Sequence, residues 1–436
     1  MKKIKVEKIP HYVQIETSYA CNVSCKFCYN PNRSVPPDLK TLNKIISAVA
    51  KAEIPHVQLT GGEPTMLPKD YLNKAIDELS NHSTVTIQTN GVKYIKNLSK
   101  NLAKIYLSLH GPAKIHNALQ PGGSWKKTIN SLENYLRDGF EVCCDFTLTS
   151  TNFESFEGIA ELVYSMGVKQ YTINKYEPAG FGLKSFSKLA PSVKQFKKLV
   201  SQVISVQKNT KMTIGFCTAI PFCLDERLAE HGLTSSCGAG ISFLSISPTG
   251  EVRICNQSDV SYGNVLHEDL IDIWKKKSID EFRKLTWVTE PCKSCFLFDQ
   301  CLAGCKVDNS VCSHYCVDHA VRGLKRVPIS KSFWQKSVQK YEDKIKTKPD
   351  VKFLKKTLIT PDVFTKLNLN HETKYLVTRD QTVSLNQTAI LVIEKILKGR
   401  QTVDEIVTWA KSIDINKDEV TGLLKNLVFI KAITTE

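Results

Sequence analysis

Between residue 12 and about residue 210, short runs of alternating apolar and polar residues are separated by longer stretches with apolar residues every third or fourth position. Alternation at period two predicts half-buried strands, and i, i+3, i+4 spacing predicts amphipathic helices. Strands are expected at YVQIET (12–17), HVQL (56–59), TVTIQT (84–89), KIYLSLH (104–110), EVCCDFTLT (141–149) and VKQYTIN (168–174). Helices are expected between them, at 42–52, 126–139 and 156–167, with Gly139 and Gly167 where helix-ending glycines belong. Strands alternating with helices predict an α/β fold with a parallel sheet, open or partly closed into a six-stranded (β/α) barrel. Such sheets bind ligands at the carboxyl ends of their strands.

From about residue 357 the pattern changes. KYLVTR (374–379) and TVSL (382–385) flank Asp380-Gln381 as a hairpin, and three helices follow. The first starts at Asn386 and buries Ile390, Ile393 and Leu397. The second opens with Thr402 and Glu405 in a capping box and buries Val403, Ile406, Val407 and Ala410. The third starts near Asn416, with Glu419 three residues on, and buries Val420, Leu423, Leu424 and Leu427. This describes a winged-helix-like α+β unit over 357–436.

The 436 residues allow two or three domains, and 42% hydrophobic with 23% charged residues is ordinary globular composition. Fifteen cysteines are not ordinary. The lysine-rich start leads into polar alternation instead of an apolar signal segment, and no run approaches the ~20 apolar residues that span a bilayer. A cytoplasmic chain without a membrane partner is expected, in which clustered cysteines bind metal. The net charge of +16 is concentrated between Arg322 and Lys356, where twelve Lys and Arg face Glu342, Asp343 and Asp350. This basic stretch reads better as a solvated helical linker (326–356) than as a nucleic-acid groove, which would interleave stacking aromatics.

The chemistry begins after the first strand. Cys21, Cys25 and Cys28 form C-x3-C-x2-C, three soft ligands within eight residues. Three thiolates on a four-iron cubane leave one iron open, whereas zinc usually takes a closed set of four. A zinc knuckle or a disulfide loop is the bland alternative. After the second strand stands Gly61-Gly62-Glu63-Pro64, where glycines let a backbone come close to a ligand and Glu63 can accept from an ammonium. Alone, this is a tight turn.

Together, the cysteine triplet, the GGEP turn and the six βα units resemble the radical S-adenosylmethionine enzymes over residues 10–210. The resemblance implies a four-iron cluster on Cys21, Cys25 and Cys28 whose open iron chelates S-adenosylmethionine. It implies that Gly61, Gly62, Glu63 and Pro64 line the cofactor's amino group, Phe27 touches adenine and Ser108 lies near the ribose. Ten further cysteines in 217–316, including a C-x(n)-G-x4-C segment ending at Cys255, resemble the SPASM extension with two auxiliary four-iron clusters. Carried over to 211–325, Cys223, Cys237, Cys255 and Cys305 would hold one cluster, and Cys292, Cys295, Cys301 and Cys316 the other. Cys217 could replace Cys223, and Cys312 could replace Cys316. Cys143 and Cys144 point to opposite faces of their strand and read as core or lining residues.

The C-terminal unit suggests DNA first, but its third helix balances Lys417 and Lys425 against Asp418 and Glu419, which a groove-reading helix should not. Residues 375–407 resemble the PqqD-like peptide-recognition fold, implying capture of a precursor peptide's leader by strand addition at the sheet edge beside the third helix. The assembly implies a maturase of ribosomally made peptides that forms an oxidative thioether or carbon–carbon crosslink. A flavodoxin or ferredoxin is the expected electron donor. Rival readings are a sulfatase-type formylglycine maturase, an RNA-modifying enzyme and a non-catalytic electron-transfer protein. The first needs an Asp where Asn256 follows Cys255. The general base is open: Asp145 and Glu177 are candidates by position, although surface acids are the plainer reading.

Overall fold

The computed structural model describes residues 6–306 and 356–435, with Phe353, apart from positions 287, 289, 291, 371 and 372. The sheet expected from alternation forms from β1 (Tyr12–Glu16), β2 (His56–Thr60), β3 (Thr84–Thr89), β4 (Leu102–Ser108), β5 (Val142–Leu148) and β6 (Gln170–Lys175), all parallel. A seventh parallel strand, β7 (Thr213–Phe216), continues it past residue 210. On the other side β8 (Phe243–Ile246) pairs parallel with β1, and β9 (Glu251–Arg253) and β10 (Gly263–Asn264) add antiparallel. The ten-stranded order is β10-β9-β8-β1-β2-β3-β4-β5-β6-β7. Residues 211–264 therefore share a sheet with the barrel. Short strands with few alternating positions give little sequence signal, which is why β7 to β10 escape the pattern.

Each helix explains itself locally. The first, α1 (Leu39–Lys51), is capped by Asp38, whose carboxylate accepts from the backbone N–H of Lys40 and Thr41. It buries Leu42, Ile45, Ile46 and Val49 against the sheet. The strands alternate as expected: Val13, Ile15, Val57, Leu59, Ile105 and Leu107 join the helix-facing core. Their neighbours, Gln14, Gln58, Gln88, Ser108, Asp145 and Thr172, bond to one another across the opposite, concave face. This polar face lines the lumen.

The C-terminal unit holds helices at Gln387–Leu397, Val403–Lys411 and Lys417–Phe429, capped by Asn386, Thr402 and Asn416. Two small antiparallel sheets accompany them. One pairs β12 (Lys366–Asn368), β13 (Tyr375–Val377) and β14 (Thr382–Ser384). The other pairs β15 (Gln401–Thr402), β11 (Leu358–Pro361) and β16 (Ile433–Thr435). Val392, Ile393, Ile396, Ile406 and Leu424 form its core. Leu397 and Leu423, expected inside, are half-buried at its margin.

This unit sits on the amino end of the barrel. Lys366 donates to the carbonyls of Ser80 and Ser83, Asn368 to that of Glu53, and Thr84 donates to the carbonyl of Thr378. Arg379 bonds Glu141 at 2.7 Å, and Asp380 pairs with Lys104, which is only 2% exposed at the barrel's base. The β13–β14 hairpin tip closes that end.

Candidate functional site

The cysteine loop is built at the opposite, carboxyl end. Its root is zipped to the turn after β2: Gly62 N donates to Ser18 O (2.7 Å) and Glu63 N to Ala20 O (2.9 Å). A β-carbon on Gly62 would lie 1.9 Å from the Ala20 carbonyl oxygen, and one on Gly61, at φ +114°, 2.4 Å from that of Ser18. The glycine pair thus lets the turn lie on the chain's own loop. Close approach is what the sequence suggests, but the approaching backbone is residues 17–20.

Glu63 is 1% exposed, and both its oxygens are occupied. Oε1 accepts from Thr65 N, Thr65 Oγ1 and Thr89 Oγ1, and Oε2 accepts from Asn90 N. Burial pushes its carboxyl above the ordinary range against the pull of these donors. Glu63 ties the β2 turn to the end of β3.

Asn90, held in this way, donates to Cys21 Sγ (3.7 Å) and to Asn22 Oδ1 (2.7 Å). Cys25 Sγ faces Gln120 Oε1, and Arg33 donates to Cys25 O at 2.6 Å while its guanidinium lies over Phe181. Gly182 N donates to Cys28 O, and a β-carbon on Gly180 would fall 2.0 Å from Tyr29 O. The segment Gly180-Phe181-Gly182 therefore covers the loop from the β6 side. Sequence reasoning passed over Asn90, Gln120 and this G-x-G; only the paired glycines carried a signal.

Phe27 stands edge-on to His110, with ring centroids 4.7 Å apart. Ser108 accepts from Gln88 Nε2 in the lumen and is in register with Asp145. Pro64 starts a short 3-10 turn that Glu63 caps.

The donor set fits a cluster better than a disulfide or a lone ion. All thirteen cysteines among the described residues are free thiols. No three His, Cys, Asp or Glu among those residues converge as on one metal ion, whereas a cubane holds its ligands farther apart. Burial first, with the charges of Glu63 and Cys28, pushes the Cys21 thiol up to about 11; burial, then Cys28 and Cys21, raises Cys25 far above the ordinary range. Cys28 lies near both, and buried thiols such as those of Cys21 and Cys25 ionise when a cation arrives.

In the second cysteine field, burial raises Cys255 to about 12 with Cys237 beside it, while Cys237 and Cys305 lie beside the buried Lys306 ammonium. Burial likewise takes Cys301 to about 12, with Cys223 and Cys292 as its neighbours. Cys223 and Cys292 thus both lie near Cys301. Cys295 packs at the edge of the barrel core. Cys312 and Cys316 lie outside the described residues, as does the basic linker apart from Phe353 and Lys356. Cys217 faces Asp145 and Thr172 in the lumen. Of the adjacent pair on β5, Cys144 joins the apolar core while Cys143 turns toward Thr172.

The two candidate acids are buried, not superficial. Glu177 is 5% exposed and pairs with buried Lys175 at 2.8 Å. Asp145 is 7% exposed and accepts from Thr172 Oγ1 and Asn174 Nδ2, both at 2.8 Å on Oδ1. Asn256 donates its amide to Gln14 at 3.0 Å and accepts from Cys255, so no acid follows the cysteine there.

A parallel barrel with three neighbouring thiols above a polar lumen, continued by a cysteine-rich extension, defines a cluster-dependent enzyme class. Residues 15–163 match the radical SAM superfamily, and residues 237–296 match SPASM, the iron–sulfur cluster-binding domain. The chain carries a radical SAM domain followed by a SPASM domain, which imply S-adenosylmethionine and four-iron clusters as cofactors. It is similar to mycofactocin maturase MftC of Mycobacterium tuberculosis, with 28% identity over 309 residues, covering 66% of this chain and 76% of that protein. PqqA peptide cyclase of Methylorubrum extorquens is 23% identical over 321 residues, covering 69% and 82%. Streptococcus suis SuiB, solved bound to precursor peptide SuiA, shares the fold: TM-score 0.61, 19% identity, 73% of this chain and 77% of that one. No helix among the described residues is long and apolar enough to cross a membrane.

Proposed function

We propose that the chain is a radical S-adenosylmethionine maturase of a ribosomally made precursor peptide, forming an oxidative thioether or carbon–carbon crosslink. The observation that carries this is the cysteine loop zipped onto the GGEP turn at the mouth of a polar lumen, in a chain similar to MftC and PqqA peptide cyclase. Cys21, Cys25 and Cys28 hold the first cluster, and Gly61, Gly62, Glu63 and Pro64 line the cofactor's amino group. Phe27 and Ser108 border adenine and ribose. When bound and reduced, this cofactor pair supplies a 5′-deoxyadenosyl radical. Two auxiliary clusters, three in all, draw on Cys223, Cys237, Cys255, Cys305, Cys292, Cys295, Cys301 and Cys316, and a flavodoxin or ferredoxin donates electrons.

The C-terminal unit acts as a PqqD-like leader receptor. Support comes from its open strand edges: among the described residues β16, next to the third helix, pairs only with β11, and β14 only with β13. Backbone groups on such an edge are ready to bond an added strand. The formylglycine rival lacks its acid, since Asn256 is an amide already bonded to Gln14. The test is anaerobic co-expression with each short reading frame flanking the gene, followed by mass spectrometry of the peptides. A mass loss of two hydrogens on one peptide, with 5′-deoxyadenosine formed, is the expected result. No modified peptide, or binding without 5′-deoxyadenosine, would overturn the reading.

A further inference from the structure

Several carboxylates reach the barrel's interior or its rims: Glu63 accepts from four donors at the β2 turn, and Glu141 pairs with Lys104 and Arg379 at the base. Glu16 is bound to Arg253, Glu177 to Lys175, and Asp380 to Lys104. Asp145 has no lysine, arginine or histidine partner among the described residues. Both of its hydrogen bonds fall on Oδ1, so Oδ2 accepts none and stays open to the lumen. Thr172 and Asn174 come from the adjoining strand β6 and fix the carboxyl plane. Ser108, on the other side, is its register partner from β4. Cys217, beside it, is exposed.

The other titratable groups facing Asp145 are Tyr12, Cys143, Cys144, Tyr171 and Cys217, all of them acids. A carboxyl kept from water without a cation favours its protonated form. Burial pushes Asp145 up to about 6, with the Thr172 and Asn174 donors pulling against it. A base poised near neutrality, able to give its proton up again, is suited to turnover.

We infer that Asp145 is the proton acceptor of the bond-forming step, receiving at Oδ2 the proton lost by the peptide's nucleophilic group as it joins the activated carbon. The inference rests on the peptide-maturase reading above. One C–H and one X–H bond of the peptide break, and one C–X bond forms. The first hydrogen leaves as an atom to the 5′-deoxyadenosyl radical, the second as a proton to Asp145, and the remaining electron passes to an oxidised iron–sulfur cluster.

The test uses the reconstituted full chain with the peptide found by co-expression. In Asp145→Asn, cluster absorbance and S-adenosylmethionine affinity stay at native levels and 5′-deoxyadenosine still forms. Crosslinked peptide per 5′-deoxyadenosine falls at least tenfold. For the native chain, crosslinking rises with pH through about 6; Asp145→Asn loses that limb, and Asp145→Glu restores part of it. Thr172→Val removes a donor to the carboxylate and so moves the limb to higher pH, a displacement that a merely structural role would not give. Native coupling and an unchanged pH limb in Asp145→Asn would overturn the inference while leaving the maturase reading intact. If the native chain modifies no peptide, both fall.

Discussion

At the scale of single residues, the site depends on backbone contacts that side-chain chemistry would not suggest. Gly62 has an ordinary φ, so its requirement is space: the carbonyl of Ala20 occupies the place of a β-carbon. Gly62→Ala must push the root of the cysteine loop outward, because backbone cannot yield as a flexible side chain can. The expected outcome is a folded protein that reconstitutes with less iron and binds S-adenosylmethionine at least tenfold more weakly, checked by iron analysis and equilibrium dialysis. Glu63 illustrates the limit of a motif. The sequence marks it as functional but does not show that its oxygens accept from Thr65, Thr89 and Asn90, two of which lie at a strand end 26 or more residues away. No local pattern displays that.

At the scale of elements, the succession of strand and helix runs made the parallel sheet legible, whereas the polar lumen emerged only with the fold. Gln14, Gln58, Asp145 and Thr172 share that face because side chains alternate along a strand. The grouping of cysteines was not legible, since thiols distant in sequence meet through loops whose course no periodicity sets. Cys223 beside Cys301, and Cys217 in the lumen, are the instances. The docked hairpin was half legible: Asp380-Gln381 read as its turn, but nothing local says that Lys104 waits for it.

That pairing makes a further prediction. Burial opposes charge on both partners, yet Glu141 and Asp380 hold Lys104 above its ordinary value, and Lys104 holds Asp380 below its own. The stabilisation from Asp380 is therefore full above the ordinary carboxylate range and is lost as pH falls through its depressed value. The contribution of Lys104 is full below the ordinary lysine range and is lost as pH rises through its raised value. Docking should hold across neutral pH and loosen in strong acid or strong alkali. Asp380→Ala leaves the buried ammonium with Glu141 and Gln170 and should cost about 2 kcal/mol, the loss of one charge-assisted hydrogen bond. Faster hydrogen exchange in β4 and a lower urea midpoint would show it.

At the scale of the whole molecule, opposite ends of one barrel carry different tasks. The cysteine loop closes the carboxyl end, and the C-terminal unit closes the amino end. Between them stand strands of up to seven residues, a height of about 20 Å at ~3.3 Å per residue. If the C-terminal unit holds the leader, the docked hairpin turns the protein into a ruler. A peptide gripped at one end must run the barrel's height before its reactive residue reaches the other. Deleting residues between leader and modified position should leave binding unchanged until the spacer drops below about seven extended residues, and then abolish modification abruptly. Titration of binding alongside mass spectrometry of the product, over a series of shortened peptides, would read that threshold directly.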